Sequence, residues 1–141
     1  MAQGKFRVQK TEAEWKRILA PASFAVLRQE ATEKPYSSPL NDEHRKGVFM
    51  CGGCAAAGVR WPLYSSTNKF DSHTGWPSFD RPINKQAIGT KVDNTLVLQV
   101  RTEIHCANCG GHLGHVFNDG PRETTGLRYC MNGLALTFQP A

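Results

Sequence analysis

Two Cys-x-x-Cys pairs and one solitary cysteine are the residues of this chain whose type and spacing could do chemistry. The pairs are Cys51-Gly52-Gly53-Cys54 and Cys106-Ala107-Asn108-Cys109; the fifth cysteine, Cys130, stands in Arg128-Tyr129-Cys130-Met131-Asn132. Two thiolates separated by two residues reach one tetrahedral ion from a tight turn, and a second such turn fills its remaining positions with sulfur. The spacing therefore predicts a closed site on Cys51, Cys54, Cys106 and Cys109 holding one structural zinc ion per chain. No position is left open for water or substrate, so the metal is not catalytic. Gly52, Gly53, Gly110 and Gly111 fit these turns, because glycine takes the positive φ values that bend amides back toward sulfur. Two disulfides or a redox Cys-x-x-Cys are the competing reading. Against it stand the lack of a leader peptide and of a βαβ pattern to carry such a motif.

Cys130 is the better clue to function. An unpaired cysteine is most often a small buried hydrophobe, but its neighbours change that reading. In a strand, residues two apart share a face, so Arg128, Cys130 and Asn132 lie together while Tyr129 and Met131 point the other way. A guanidinium beside a thiol favours thiolate, and Asn offers hydrogen bonds to a polar substrate group. Directly after the second cysteine pair come Gly110-Gly111-His112-Leu113-Gly114-His115-Val116-Phe117-Asn118-Asp119. Four thiolates already saturate the metal, which leaves His112 and His115 to serve as general acid, as donors to a substrate, or with Asp119 as ligands of a second metal. A third cluster runs Lys69-Phe70-Asp71-Ser72-His73-Thr74-Gly75-Trp76-Pro77-Ser78-Phe79. Phe70 and Phe79 read as core. Trp76, between Gly75 and Pro77 in a loop, reads as a pocket wall for something small and apolar.

The elements that must position these groups are mainly β. Thr11 and Glu14 have capping-box form, and Trp15, Ile18 and Leu19 follow at helical spacing, which predicts a short helix ending before Pro21. A second, with Phe24, Val26 and Leu27, starts near Pro21 and fades after Glu30. Prolines, serines and charges from Lys34 to Arg45 predict an irregular connection. Val48 to Met50 leads as a strand into the first cysteine pair. Leu96, Leu98 and Val100 alternate with Val97, Gln99 and Arg101, the period of a half-buried strand. Leu127–Asn132 and Leu134–Phe138 read as two closing strands with a turn or bulge at Gly133. Helices gathered at one end and many short strands predict an antiparallel sheet or barrel with a zinc clip at its edge.

At 141 residues the chain suits one domain, divided into a helical clasp and connection over 1–45 and a zinc-clipped β core over 46–141. The formal net charge is +5 and the pI about 9.1. The Lys and Arg residues are scattered without a basic run, so the charge reads as solvated surface and not as a nucleic-acid footprint. No stretch has the length to span a membrane and no apolar leader opens the chain, which predicts a soluble, cytoplasmic protein with neither nucleic-acid nor membrane partner.

One nucleophilic sulfur, an acid to protonate an oxygen, polar donors and an aromatic wall form a coherent set. The Cys-Gly-Gly-Cys, Lys-Phe-Asp-Ser-x-Thr-Gly-Trp-Pro-Ser-Phe, Cys-x-x-Cys-Gly-Gly-His-Leu-Gly-His-Val-Phe and Arg-Tyr-Cys-x-Asn segments, in that order from about Thr11 to Phe138, resemble methionine-R-sulfoxide reductase B. The resemblance implies a barrel-like fold of two antiparallel sheets with short N-terminal helices, and a structural zinc on the four paired cysteines. It further implies that Cys130 attacks the sulfoxide sulfur and becomes a sulfenic acid, leaving methionine. By the same resemblance His112 and His115 flank the oxygen with His115 as proton donor, Trp76 packs on the ε-methyl, Asn132 holds the substrate, and Arg128 with Asp119 steadies the polar site. The R epimer and a reductant, thioredoxin or a small thiol, are implied likewise. Members that form an internal disulfide often carry a resolving cysteine two residues before the loop tryptophan; here that residue is Thr74. His73, where glycine is common, and the longer 55–61 connection are further departures. A zinc-ribbon-like binding module is the alternative from another class. It explains four cysteines and the charge but leaves Cys130, His112, His115 and Trp76 without a purpose.

Overall fold

Thr11 begins the first helix. Its hydroxyl accepts from the Glu14 amide while Glu14 Oε1 accepts from the Thr11 amide, a reciprocal cap that satisfies two otherwise orphan donors. The computed structural model describes residues 6–96 and 99–141. Helix α1 spans Glu12–Ile18 and α2 Pro21–Gln29, with Glu30 ending α2 in the left-handed region at φ 59°. Phe24, Val26 and Leu27 on α2 are buried as their spacing predicts, whereas α1 docks through Trp15 and the Leu19 that ends it and leaves Ile18 exposed.

Among the described residues nine strands form two antiparallel sheets. They are β1 Gly47–Cys51, β2 Pro62–Ser65, β3 Lys69–Phe70, β4 Ser78–Phe79, β5 Ile88–Leu96, β6 Gln99–Cys106, β7 His112–Phe117, β8 Arg128–Met131 and β9 Leu136–Pro140. One sheet has the order β2-β1-β9 and the other β3-β4-β8-β7-β6-β5. An aromatic seam joins them. Phe79 of β4 stacks on Tyr64 of β2 at 4.4 Å between ring centroids and meets Phe49 of β1 edge-on at 5.0 Å, all three fully buried.

The expected barrel does not form: among the described residues neither sheet closes on itself. The three-stranded sheet ends at β2 and β9, and the six-stranded sheet at β3 and β5. Closure needs strands long enough to tilt and carry the hydrogen-bond ladder around, and β3 and β4 are two residues each. The two closing strands also belong to different sheets. β8 leaves the larger sheet at Met131, a 3₁₀ turn over Gly133–Ala135 reverses the chain, and β9 joins the smaller one.

The single strand expected over 96–101 is instead the end of one hairpin arm and the start of the other, since Leu96 pairs with Gln99. Val97 and Leu98 lie outside the described residues. Val100 is 70% exposed, while Arg101 points the opposite way. The first cysteine turn also differs from expectation. Gly52 and Gly53 open a short helix, α3 (Gly52–Ala56), and of the four knuckle glycines only Gly110 has a positive φ, 76°. Cys51 caps α3 through its own sulfur, which accepts from the Cys54 amide, so the sulfur does the bending that glycine was expected to allow.

Candidate active site

One face of the six-stranded sheet carries the reactive groups in two rows. In an antiparallel ladder directly opposed residues share a face with Cβ atoms about 4.5–5.5 Å apart. Cys130 of β8 is opposed by Ser78 of β4 on one side and His115 of β7 on the other, and His115 in turn by Glu103 of β6. Two residues along, Arg128 opposes Phe117, and Asp93 of β5 opposes Arg101 of β6. β7 and β8 approach so closely that a Cβ on Gly114 would lie 1.9 Å from the Cys130 carbonyl oxygen. Only glycine permits that contact, which fixes the His115 and Cys130 side chains relative to one another.

These rows floor a cleft of about 250 Å³ lined by Cys130, His115, Arg101, Arg128 and Asn132. Trp76 and Thr74 wall it from the loop before β4. Trp76 is held at its polar end, where the indole N–H donates to the Glu33 carbonyl at 3.0 Å. Thr74 Oγ1 is 2.7 Å from Ser72 Oγ, which is 2.8 Å from Ser78 Oγ, so a chain of hydroxyls runs from the loop to the residue opposite Cys130. His73 takes φ 59°, a conformation glycine adopts without strain, and lies exposed beside Asp71.

His115 is buried and its Nε2 lies 2.8 Å from Asp93 Oδ2, the same oxygen that accepts from Arg101 Nη2 at 3.1 Å. Burial lowers the His115 pKa below the ordinary imidazole value, with the Arg101 cation adding to it, and the Asp93 hydrogen bond offsets only part. Cys130 is shifted the other way. Burial raises its pKa above the usual thiol range, and Arg128 and the Ser78 hydroxyl lower it by less. The guanidinium that was expected to activate the sulfur is present, but desolvation outweighs it. Arg128 is otherwise engaged: it forms a bidentate pair with Asp119 at 2.9 and 3.2 Å and lies 4.4 Å over the Phe117 ring. That pairing holds the exposed Asp119 carboxyl below its usual range.

Two expected site residues are placed less simply. His112 does not line this cleft. It faces a separate cavity of about 190 Å³ with Glu103, Lys91 and His105, its Nδ1 3.1 Å from Glu103 Oε2 but off the hydrogen-bonding direction. Its ring meets that of His115 edge-on at 5.5 Å. In a regular strand residues three apart point to opposite faces. Here β7 bulges between His112 and Gly114, which span two residues against the single step Ile104–His105, and the rings come together. Asn132 follows β8 and is buried with both ends of its amide engaged: Oδ1 accepts from the Glu33 amide at 2.9 Å and Nδ2 donates to the Leu113 carbonyl at 3.1 Å. Asp93, Arg101 and Glu33 were missed in the sequence. Asp93 and Arg101 face each other only once the hairpin register is known, and Glu33 lies in a stretch with no periodic signal.

The paired cysteines meet at the other end of the larger sheet. Their four sulfurs lie within 4.8 Å of one another, all buried, with Cys51 and Cys109, and Cys54 and Cys106, each 3.7 Å apart. A tetrahedral ion with sulfurs at about 2.3 Å requires sulfurs about 3.8 Å apart, so this donor set fits a structural metal. Amide N–H groups of Cys54, Asn108 and Gly111 point at Cys51, Cys106 and Cys109, which stabilises thiolate, and Asn108 Nδ2 donates to Cys54. Helix α2 covers the site. Leu27 packs over Gly53 and Gly111, and Arg28 donates to the Cys109 carbonyl at 3.0 Å.

An open two-sheet fold with a four-cysteine clip and a cysteine facing a histidine in a tryptophan-walled cleft defines a thiol-dependent oxidoreductase. Residues 19–140 match the SelR domain model. The chain is 47% identical over 138 residues to a protein named peptide methionine sulfoxide reductase MsrB from Leifsonia xyli subsp. xyli, covering 98% of this chain and 95% of that one. It is 45% identical to the protein of that name from Agrobacterium fabrum, over 95% of this chain and 94% of that one. The corresponding figures for Methanosarcina mazei are 44%, 98% and 92%. The chain belongs to the SelR-domain, methionine-R-sulfoxide reductase B family.

Proposed function

We propose that this protein reduces the R epimer of methionine sulfoxide in peptides and proteins to methionine, with Cys130 as nucleophile and a thiol as the electron source. The observation that carries the reading is the opposition of Cys130 and His115 on the floor of the Trp76-walled cleft. The Cys130 thiolate attacks the sulfoxide sulfur while the oxygen takes up a proton. The sulfur–oxygen bond then breaks, oxygen passes to Cys130 as a sulfenic acid, and methionine leaves reduced by two electrons. His115 is the proton donor; with Nε2 committed to Asp93, Nδ1 is the nitrogen left to give the proton. His112 backs the His115 ring, Trp76 packs on the ε-methyl, Asn132 fixes the edge of the substrate site, and Arg128 with Asp119 holds the polar rim.

Two equivalents of thiol then return the sulfenic acid to Cys130 thiol, releasing water and a disulfide. With Thr74 where a resolving cysteine could stand and the other cysteines gathered in one buried cluster, thioredoxin or a small thiol acts on the sulfenic acid directly. Cys51, Cys54, Cys106 and Cys109 hold one zinc ion, which ties β1 and α3 to the β6–β7 turn and supplies no redox chemistry. The chain acts as one domain over 1–141, and of its N-terminal part, 1–45, the described residues 6–45 clasp the β core. Among the described residues no helix is long and apolar enough to cross a membrane, and the protein works in the cytoplasm.

The test is turnover of separated R and S epimers of a peptide methionine sulfoxide with dithiothreitol, beside Cys130→Ser. R-only turnover that vanishes in the variant is expected. No turnover from folded, zinc-loaded protein would return the binding-module reading.

A further inference from the structure

Glu33 is hydrogen-bonded to two residues that line the cleft, Trp76 and Asn132, yet it does not line the cleft itself. It sits in the irregular segment after α2, and the residue is buried at 6% exposure. Its backbone amide donates to Asn132 Oδ1 at 2.9 Å and its backbone carbonyl accepts the Trp76 indole N–H at 3.0 Å. Its side-chain Oε1 accepts from the Leu134 amide at 2.9 Å, and Oε2 is buried with no hydrogen-bond partner. One residue thus joins three separate parts of the site: the loop that carries Trp76, the residue that ends β8, and the 3₁₀ turn that follows.

A second observation shows that this segment is seated tightly on the end of β8. A Cβ on Gly133 would lie 1.9 Å from Ser38 Oγ, 2.5 Å from Ser38 Cβ and 3.5 Å from Glu33 Oε2. The Cβ of Ser38 is not a flexible tip that can swing aside, so the 33–38 segment lies directly on the glycine. Gly133 therefore has a steric purpose in addition to forming the turn.

We propose that Glu33 is a positioning residue: by anchoring its own backbone through the Leu134 amide, it holds Trp76 and Asn132 in place around Cys130. This rests on the reading of the cleft as the sulfoxide site. A carboxylate accepting a backbone N–H is a strong anchor, and leaving that buried amide unpaired is unfavourable. Without the anchor, the two backbone groups that fix the Trp76 indole and the Asn132 amide are free to shift. A displacement of about 1 Å in groups that orient a reactant lowers rates by as much as about 10²-fold. The charge has a further consequence. Glu33 opposes ionisation of Cys130, while Arg128 and Ser78 favour it, and burial holds the neighbouring His115 below the ordinary imidazole value. An amide in place of the carboxylate would keep the anchor and remove the charge.

The experiment compares wild-type protein, Glu33→Ala, Glu33→Gln and Gly133→Ala in two readouts. The first is kcat and KM for an R-sulfoxide peptide. The second, independent of turnover, is the chemical shift and hydrogen exchange of the Trp76 indole N–H by NMR, assigned with Trp76→Phe. Glu33→Ala and Gly133→Ala are expected to accelerate exchange of that one proton and to lower kcat/KM by about 10–100-fold, with metal content unchanged. Glu33→Gln, whose Oε1 can still accept from Leu134, is expected to recover most of the loss and to shift Cys130 alkylation to lower pH. An unmoved, equally protected indole in Glu33→Ala would overturn the proposal, as would Glu33→Gln failing as badly as alanine. Wild-type protein that turns over neither epimer would refute the sulfoxide reading instead, while the indole exchange would still decide whether Glu33 is the anchor.

Discussion

His115 and Cys130 are direct partners across the β7–β8 ladder, and Asp93 and Arg101 secure the histidine from the neighbouring hairpin. The sulfur and the imidazole are therefore set by backbone pairing, the most rigid geometry a sheet offers, and not by loop conformation. The wall, Trp76 on the loop before β4, is held instead through its indole N–H, which donates to the Glu33 carbonyl.

Replacing Cys130 with serine should abolish turnover while leaving metal content and the melting curve near wild type. The sulfur lies in the cleft and apart from the four-cysteine cluster, so its loss disturbs no ligand. Residual sulfoxide reduction by the variant, followed by chromatography of the peptide, would exclude Cys130 as nucleophile.

The pH dependence of kcat/KM should be a broad bell. The raised Cys130 pKa keeps the free protein's sulfur as thiol at neutrality, and the lowered His115 pKa keeps the imidazole neutral. The reactive form, thiolate with imidazolium, contains the same single proton, so its fraction is constant between the two values. Activity falls below the His115 pKa, where the pair gains a second proton, and above the Cys130 pKa, where it loses its last. Iodoacetamide should accordingly label Cys130 slowly at neutral pH and faster as pH rises above about 8.5, the ordinary thiol value. Rapid labelling at pH 6 would contradict the burial-dominated shift.

Removing His115 by alanine should lower kcat by about 10²–10⁴-fold, the usual contribution of a general acid. The acid limb of the bell should vanish with it. Asp93→Asn keeps the shape but offers a neutral acceptor to both His115 and Arg101. Its loss of rate should therefore be smaller than that of His115→Ala. Equal losses would mean that Asp93 does more than hold the imidazole.

Stripping the metal should unfold the protein. Structural zinc contributes about 10–16 kcal/mol in small peptides, comparable with a whole domain's stability of about 5–15 kcal/mol. The packing of Leu27 and the Arg28 hydrogen bond on this site extend the consequence to α2. Chelation under reducing conditions should abolish the cooperative transition seen by circular dichroism. A retained transition with less than one metal per chain would show that the four cysteines do not hold the fold.

Recycling should leave no internal disulfide. After one turnover without reductant, mass spectrometry should find Cys130 trapped by dimedone as the sulfenic acid. A disulfide between Cys130 and any of the four clustered cysteines would overturn direct reduction and require the cluster to open.

The sequence by itself determined what depends on local chemistry and short spacing. Thr11 and Glu14, three residues apart, are the two halves of a capping box ahead of an apolar helical pattern, and the two Cys-x-x-Cys turns each present a pair of sulfurs. Cys130, His115 and Trp76 were legible because their residue types are unusual for their positions. Tertiary structure decided what depends on register and on which edges pair. The β5–β6 register set Asp93 against Arg101; one inserted residue in β7 brought His112 beside His115; and two-residue strands left the expected barrel open. The chain's change of sheet after Met131 and the seating of Glu33 over Gly133 join residues about a hundred positions apart. Such contacts are set by how preformed faces pack, and no local pattern in the chain records that.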